Sequence, residues 1–288
     1  MPLVTRRMDE MTSREIERCL KEGGDLAFVP FGPVSGHGAL IPVGMHGHWA
    51  HALSLLLAEK ANGLVFPVTW CCYAGATRTF AGTVSFPIAE QVAVLSRIAT
   101  SLHAAGFRRT VLVGGTTPES TGGQVAARTL FDETEDAYLF LEAARLLDTP
   151  EVKALYEGYP GNFGETLIEL ASLRILGRER PMPMADWARE LKPEDGEGDQ
   201  PAEVFADVVA LRRLGAIGFR YYEERNHGNH GTAGLEFRGR PDVDMAVEVL
   251  QRSAEAVLPA LESLTRYREW LQEHPFRYIT ATERLGEE

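Results

Sequence analysis

The sequence is poor in the features that mark specialised protein classes. It carries three cysteines in 288 residues, Cys19, Cys71 and Cys72. Adjacent cysteines like the last two rarely bridge each other, so no disulfide framework is expected and a cytoplasmic setting is the default. Positive charge is scarce. Lys and Arg number 29 against 41 Asp and Glu, and the net charge of -12 argues against nucleic acid or an anionic membrane as a partner. Long apolar runs are also missing. Residues 26–58 hold no charged side chain apart from histidines, yet Gly, Pro and His break them too often for a spanning helix. The first ten residues lack the apolar centre of a secretory signal, and no segment repeats along the chain. What remains, at 44% hydrophobic and 24% charged, is an ordinary soluble globule long enough to bury a sizeable core.

Hydrophobic periodicity orders the chain into alternating strands and helices. Met11-Thr12-Ser13-Arg14-Glu15 reads as a capped helix start, a hydroxyl answered by a carboxylate three residues on. Gly23-Gly24 ends that helix, and Asp25–Phe31 is the first buried strand. A second helix is predicted over Trp49–Ala61, a second strand over Leu64–Thr69, and an amphipathic helix over Pro87–Ala105. Thr110–Val113 is the third strand. Weaker patterns give a helix at Gln124–Phe131, a strand at Ala137–Leu141 and a short helix at Glu151–Tyr156. Tyr159–Gly164 is a turn, Glu165–Leu176 a helix, and Arg178–Pro201 a solvated excursion within one domain covering 1–288. Phe205–Leu214 reads as helix, Ala216–Tyr222 as strand, and Val243–Leu271 as a long closing helix. This alternation predicts an α/β fold of three layers, a mostly parallel central sheet flanked by helices.

Four of the eight histidines fall within Val34–His51, between the first strand and the second helix. In open α/β sheets ligands bind beyond the carboxyl ends of the strands, so this stretch is the first candidate for an active site. His37 and His46 suit acid and base work near neutral pH or metal ligation. His48 and His51, three apart, are expected as a helix-surface pair or a subunit contact. Glu165 and Glu169 lie four apart on one helical face, where the first is either a general base or a carboxylate favoured by the helix dipole. Glu119 either reaches the crevice or is a solvated loop residue. Cys71, Cys72 and Tyr73 follow a strand and are placed to line the pocket, with a cysteine nucleophile a minor option. Arg78 ends the same loop. His227 and His230, in Arg225–Gly231, form a third polar glycine-rich loop, and His103 is expected at the surface.

Gly36-His37-Gly38-Ala39-Leu40-Ile41-Pro42 resembles the creatininase superfamily, whose members carry Glu-x-His-Gly-x-x-Leu-Pro and an aspartate nine residues after the histidine. Phe80–Ser85 is similar to the family's Phe-Pro-Gly-Thr-Ile-Ser. Gly106–Val113 is similar to the segment before its glycine-histidine loop, and Gly164-Glu165-Thr166 to its Glu-Thr-Ser helix start. The resemblance implies an α/β amidohydrolase, typically with two divalent metals and often a homo-oligomer. Carried over position by position, Ser35 stands where the first glutamate ligand belongs, His37 is kept, and His46 falls on the bridging aspartate. Gly115 and Pro160 stand at two histidine positions, and Glu165 is kept. The usual dinuclear site is therefore expected to be absent, because two cations need a bridging carboxylate and more ligands than these.

His37, His46 and Glu165 remain as a set for one Zn²⁺ or Mn²⁺. Substrate contacts are expected from Ser35, Tyr73, Arg78, Glu119, His227 and His230. The resemblance implies a hydrolase that opens a small polar ring, either a cyclic amide or a polyol ring ketone. Two alternatives stand beside it: a metal-free isomerase, cyclase or lyase, and a non-catalytic metabolite-binding homologue.

Overall fold

The computed structural model describes residues 3–37, 41–78, 81–159, 164–179 and 242–276. Four parallel strands, β1 (Leu26–Phe31), β2 (Gly63–Val65), β3 (Arg109–Gly114) and β4 (Tyr138–Glu142), form one sheet in the order β2-β1-β3-β4. Leu26 lies opposite Gly63 on one side and Arg109 on the other, and Thr110 lies opposite Tyr138. Among the described residues, seven helices accompany these strands: α1 (Ser13–Lys21) precedes them, α2 (Met45–Ala61), α3 (Ile88–Ala104) and α4 (Thr117–Thr134) separate them, and α5 (Ala143–Leu146), α6 (Pro150–Tyr156) and α7 (Glu165–Ile175) come after β4. An eighth, α8 (Val243–Glu273), follows them.

All six residues of β1 are buried, as expected of a central parallel strand covered on both faces. Side chains of a strand alternate in direction, and the two faces feed separate cores. Leu26, Phe28, Val111 and Val113 pack with Trp49, Leu53 and Leu57 of α2, Leu167 and Ile168 of α7, and Leu250 and Val257 of α8. Ala27, Val29, Phe31 and Leu112 pack the opposite way, with Cys19 of α1, Leu95, Ala99 and Leu102 of α3, and Ala126 and Leu130 of α4. Each large apolar side chain buried in this way contributes about 1.5–3 kcal/mol. The expected three-layer α/β fold is thus the one observed.

Boundaries differ from the sequence expectation at three places, each for a physical reason. Strand β2 ends at Val65 instead of continuing to Thr69, because the ladder stops after the Phe66 N–H donates to Phe28 O at 2.8 Å and resumes only at an isolated bridge between Phe31 and Thr69. Pro30 has no N–H to give, and it stands opposite that interruption while its carbonyl accepts from Thr69 N at 2.9 Å. Helix α2 begins at Met45, before Trp49, so His46 and His48 lie in its first turn. Helix α4 begins at Thr117, well before Gln124, because Thr116 and Glu119 form a second capping box. Most of the expected excursion at 178–201, and the elements expected at 205–231, lie outside the described residues. Among the described residues no helix is long and apolar enough to cross a membrane.

Candidate active site

The carboxyl ends of β1 and β3 lead into the loops that build the site. The loop after β1 is held by two backbone bonds, Ser35 N–H to Val43 O and Val84 N–H to Val34 O, both 2.8 Å. Within it His37 directs Nδ1 at the carbonyl of Ser35, 2.9 Å away. A carbonyl only accepts, so Nδ1 carries the proton and Nε2 keeps its lone pair.

His46 reaches the same point from the first turn of α2. Its Nδ1 lies 3.2 Å from Glu119 Oε2, while Glu119 Oε1 accepts the Thr116 N–H at 2.7 Å. The capping glutamate of α4 therefore also orients an imidazole. A side chain at residue 115 would block this arrangement, since a Cβ there would sit 2.6 Å from the His46 carbonyl oxygen. Glycine lets the end of β3 pass under α2, and a histidine in that place would displace the turn bearing His46. Thr116 instead faces His46, its Oγ1 lying 3.1 and 3.3 Å from the two ring nitrogens and 3.3 Å from Glu119 Oε2.

The two Nε2 atoms stand 2.8 Å apart with the rings crossed at 66°. Two lone pairs at that distance repel unless a proton or a cation lies between them. The carboxylate of Glu165, at the start of α7, completes a trio whose ligating atoms all lie within 4.8 Å of one another. Both imidazoles have the far nitrogen tied to an acceptor, the backing that metal-bound histidines ordinarily carry. Two imidazoles and one carboxylate are also a donor set suited to Zn²⁺ or Mn²⁺. The residues present therefore fit one divalent ion.

Protonation offers the other way to relieve the contact. Burial drives the His46 pKa down, but Glu119, with smaller help from Glu165 and Glu169, outweighs it and leaves His46 above the ordinary histidine value. A charged His46 would donate from Nε2 to the Nε2 of His37.

A second carboxylate and imidazole lie alongside. His48 Nδ1 meets Glu169 Oε1 at 2.7 Å, and Glu169 is fully buried. The expected surface pair of His48 and His51 is thus corrected: His51 is buried on α2, and His48 faces α7. Glu119 is corrected too, from a solvated or substrate-facing loop acid to a buried support of His46. Ser35, expected to touch substrate, is 1% exposed and stands behind His37, its carbonyl on the ring and its hydroxyl 3.4 Å from Nδ1.

Tyr73 is half-buried, its N–H donating to Gln91 Oε1, and Arg78 is exposed. Cys72 is buried with its thiol on the Thr69 carbonyl, and burial pushes its pKa far up, which removes the thiolate a nucleophile needs. Cys71 is half-buried. His103 is partly exposed beside Arg108 and Asp136, as expected. His227, His230 and Pro160 lie outside the described residues. Thr116 was missed, although its Thr-x-x-Glu spacing to Glu119 is the signature read correctly at Thr12.

A family profile described as creatininase, creatinine amidohydrolase, matches residues 9–233. Among solved structures the chain is similar to a mutant creatininase of Zn-Zn type, at 17% identity and a TM-score of 0.65, covering 90% of this chain and 99% of that one. It is similar to a mutant creatininase complexed with creatine at 16% identity and a TM-score of 0.60, covering 94% and 100%. A putative creatinine amidohydrolase from Bacteroides fragilis matches at 16% identity and a TM-score of 0.63, covering 92% and 97%. At these identities the structural likeness concerns the fold. No curated protein matches the chain significantly.

Proposed function

Because the chain belongs to the creatininase family, we propose that it is a hydrolase opening a small polar cyclic substrate, a cyclic amide or a polyol ring ketone, at a mononuclear site. The carrying observation is the convergence of His37, His46 and Glu165 within 4.8 Å. His37 Nε2, His46 Nε2 and the Glu165 carboxylate would hold one Zn²⁺ or Mn²⁺. A divalent ion so held polarises a carbonyl oxygen and lowers the pKa of bound water.

The protein's own contribution is orientation. Ser35 O and Glu119 fix the two imidazoles by their far nitrogens, so their lone pairs are aimed before any ligand arrives. Glu165 is exposed, which leaves the third corner of the trio open to solvent and to a small substrate. Tyr73 and Arg78, and His227 and His230 from the loop beyond, are candidates for the substrate's polar groups. The reading includes a cytoplasmic homo-oligomer, supported by three free thiols and by the family.

The 2.8 Å contact between the two Nε2 atoms favours a second reading, because it is also the length of an N–H···N hydrogen bond. A metal-free isomerase, cyclase or lyase would use His37 and His46 as a proton-sharing pair. Elemental analysis with activity separates the two. The hydrolase predicts about one divalent ion per chain, lost in His46→Ala, and ring opening in a panel of cyclic amides and polyol ketones. A metal-free protein with full activity would overturn the hydrolytic site and leave the second reading.

A further inference from the structure

The site rests on a residue outside the trio and its direct supports. Gln91, in the first turn of α3, has no exposed surface. Its Nε2 donates to the backbone carbonyl of Glu119 at 2.7 Å, and its Oε1 accepts the Tyr73 N–H at 3.0 Å. One amide thus ties together α3, the first turn of α4 and the loop that follows β2. That loop is moored on either side of Tyr73 as well, with Phe86 N–H on Cys72 O at 3.0 Å and Ala74 N–H on Ser85 Oγ at 3.1 Å. Resting on the mononuclear reading above, we propose that Gln91 is a positioning residue of this site, one that acts through Glu119 to set where His46 stands.

Burying a primary amide costs free energy unless its polar atoms are paired, and an apolar side chain would join α3 to α4 without that condition. Here both ends of the amide are paired, and one of them holds the residue on which His46 depends. Glu119 carries the carboxylate that accepts the Thr116 N–H and meets His46 Nδ1. The carbonyl that Gln91 holds belongs to the same residue, so the amide fixes the backbone from which that carboxylate projects.

Helix α4 gives up a side chain to admit the amide. Gly122 lies one turn beyond Glu119, and a Cβ there would sit 2.5 Å from Gln91 Cδ and 2.6 Å from its Nε2. Glycine inside a helix is a destabilising choice relative to alanine, and the space it leaves is filled by Gln91. With the amide seated there, the first turn of α4 is held at one height, and Glu119 meets His46 from a fixed direction. The other arm fixes the backbone of Tyr73, a candidate substrate contact, to the same point.

The test uses the full chain and Zn²⁺ alone, with affinity read by competition against a chelating indicator and folding read by thermal melting of the metal-free protein. Gln91→Met keeps the length of the side chain and removes both hydrogen bonds. It should weaken Zn²⁺ binding about 10-fold, the lower end of what losing the support of a metal-bound histidine costs. Gly122→Ala leaves Gln91 in the chain but displaces its amide. It should weaken binding in the same direction, and it serves as the second variant should Gln91→Met fold poorly. Arg109→Met is the control, because it breaks the pairing with Asp25 at the opposite, amino-terminal end of β3. That change should lower the melting temperature and leave Zn²⁺ affinity unchanged. In a Glu119→Leu background, Gln91→Met should weaken binding by no more than about twofold further, because the residue it acts through is gone. A Gln91→Met affinity within about twofold of wild type, an equal loss in Arg109→Met, or a further loss of about 10-fold in the Glu119→Leu background would overturn the assignment and leave the mononuclear site intact. A wild-type chain that binds no Zn²⁺ would overturn that site, and the assignment with it.

Discussion

Two histidines on α2 differ in everything except burial. His46 and His51 are 5% and 6% exposed and stand five residues apart on one helix. His46 sits at the carboxyl edge of the sheet with Glu119 on its Nδ1, and its pKa stays above the ordinary histidine value despite burial. Among the described residues, His51 has no hydrogen-bond partner on Nδ1. Burial, with Arg7 and Arg178 nearby, pulls its pKa down to about 4. Desolvation acts on both rings in the same direction, so the partner decides which of them can carry charge or hold a ligand. A buried histidine serves a site where an acceptor stands behind it, an acid at His46 and a backbone carbonyl at His37.

The sharpest way to break this contrast is to make His46 resemble His51. Glu119→Leu removes the acceptor of three donors, His46 Nδ1–H, the Thr116 N–H and the Thr116 hydroxyl, of which the hydroxyl alone is free to turn elsewhere. Each orphaned donor costs about 1–3 kcal/mol, so a loss of about 4 kcal/mol in unfolding free energy is expected by denaturant titration. Metal affinity should fall at least about 10- to 100-fold, the ordinary effect of losing such support. Undiminished metal binding by a folded Glu119→Leu protein would mean that Glu119 does not orient His46.

The next prediction concerns His51 alone. Its folded pKa of about 4 lies below the model-compound value of 6.5, so between these limits the unfolded chain binds the extra proton. Stability from this group is complete above about pH 6.5 and is lost as the pH falls through about 4, a span of roughly 2–3 kcal/mol. Unfolding free energies of the wild-type protein and of His51→Leu, measured from pH 7 to pH 4, should diverge by that amount, with the wild type losing more. Parallel curves would show that His51 keeps a partner in solution.

Much of this arrangement is legible in the sequence, and what is not has identifiable causes. Periodicity gives the layers because the central strands are short, largely apolar and followed by glycine, a pattern that needs no long-range information. That His37, His46 and Glu165 form one set was reachable through the resemblance alone. Nothing local in a chain of 288 residues says that positions 46 and 165 meet. The supports were harder still. Glu119 looks like a loop residue until α4 is known to start at Thr117, and Glu169 looks like any second-turn acid until His48 is placed opposite it. The start of α2 at Met45 was hidden because Gly44 offers no capping side chain and Gly47 lowers helix propensity within the first turn. His46 in that turn then reads as a loop residue.

The smallest prediction isolates what the site adds to an ordinary local motif. Thr12-x-x-Glu15 and Thr116-x-x-Glu119 are the same capping box, with Thr12 N–H on Glu15 Oε2 at 2.8 Å and Thr116 N–H on Glu119 Oε1 at 2.7 Å. At Thr12 both ends of the box are exposed to water, and the second carboxylate oxygen has no residue to orient. At Thr116 the box is packed between α4 and α2, and that oxygen holds His46. Thr12→Ala should therefore cost only the value of a cap, about 1 kcal/mol, read as a small drop in the thermal midpoint, with metal content and affinity unchanged. If instead it altered metal affinity, α1 would be coupled to the rim of the sheet, and the division between a box that only starts a helix and one that also aims an imidazole would not hold.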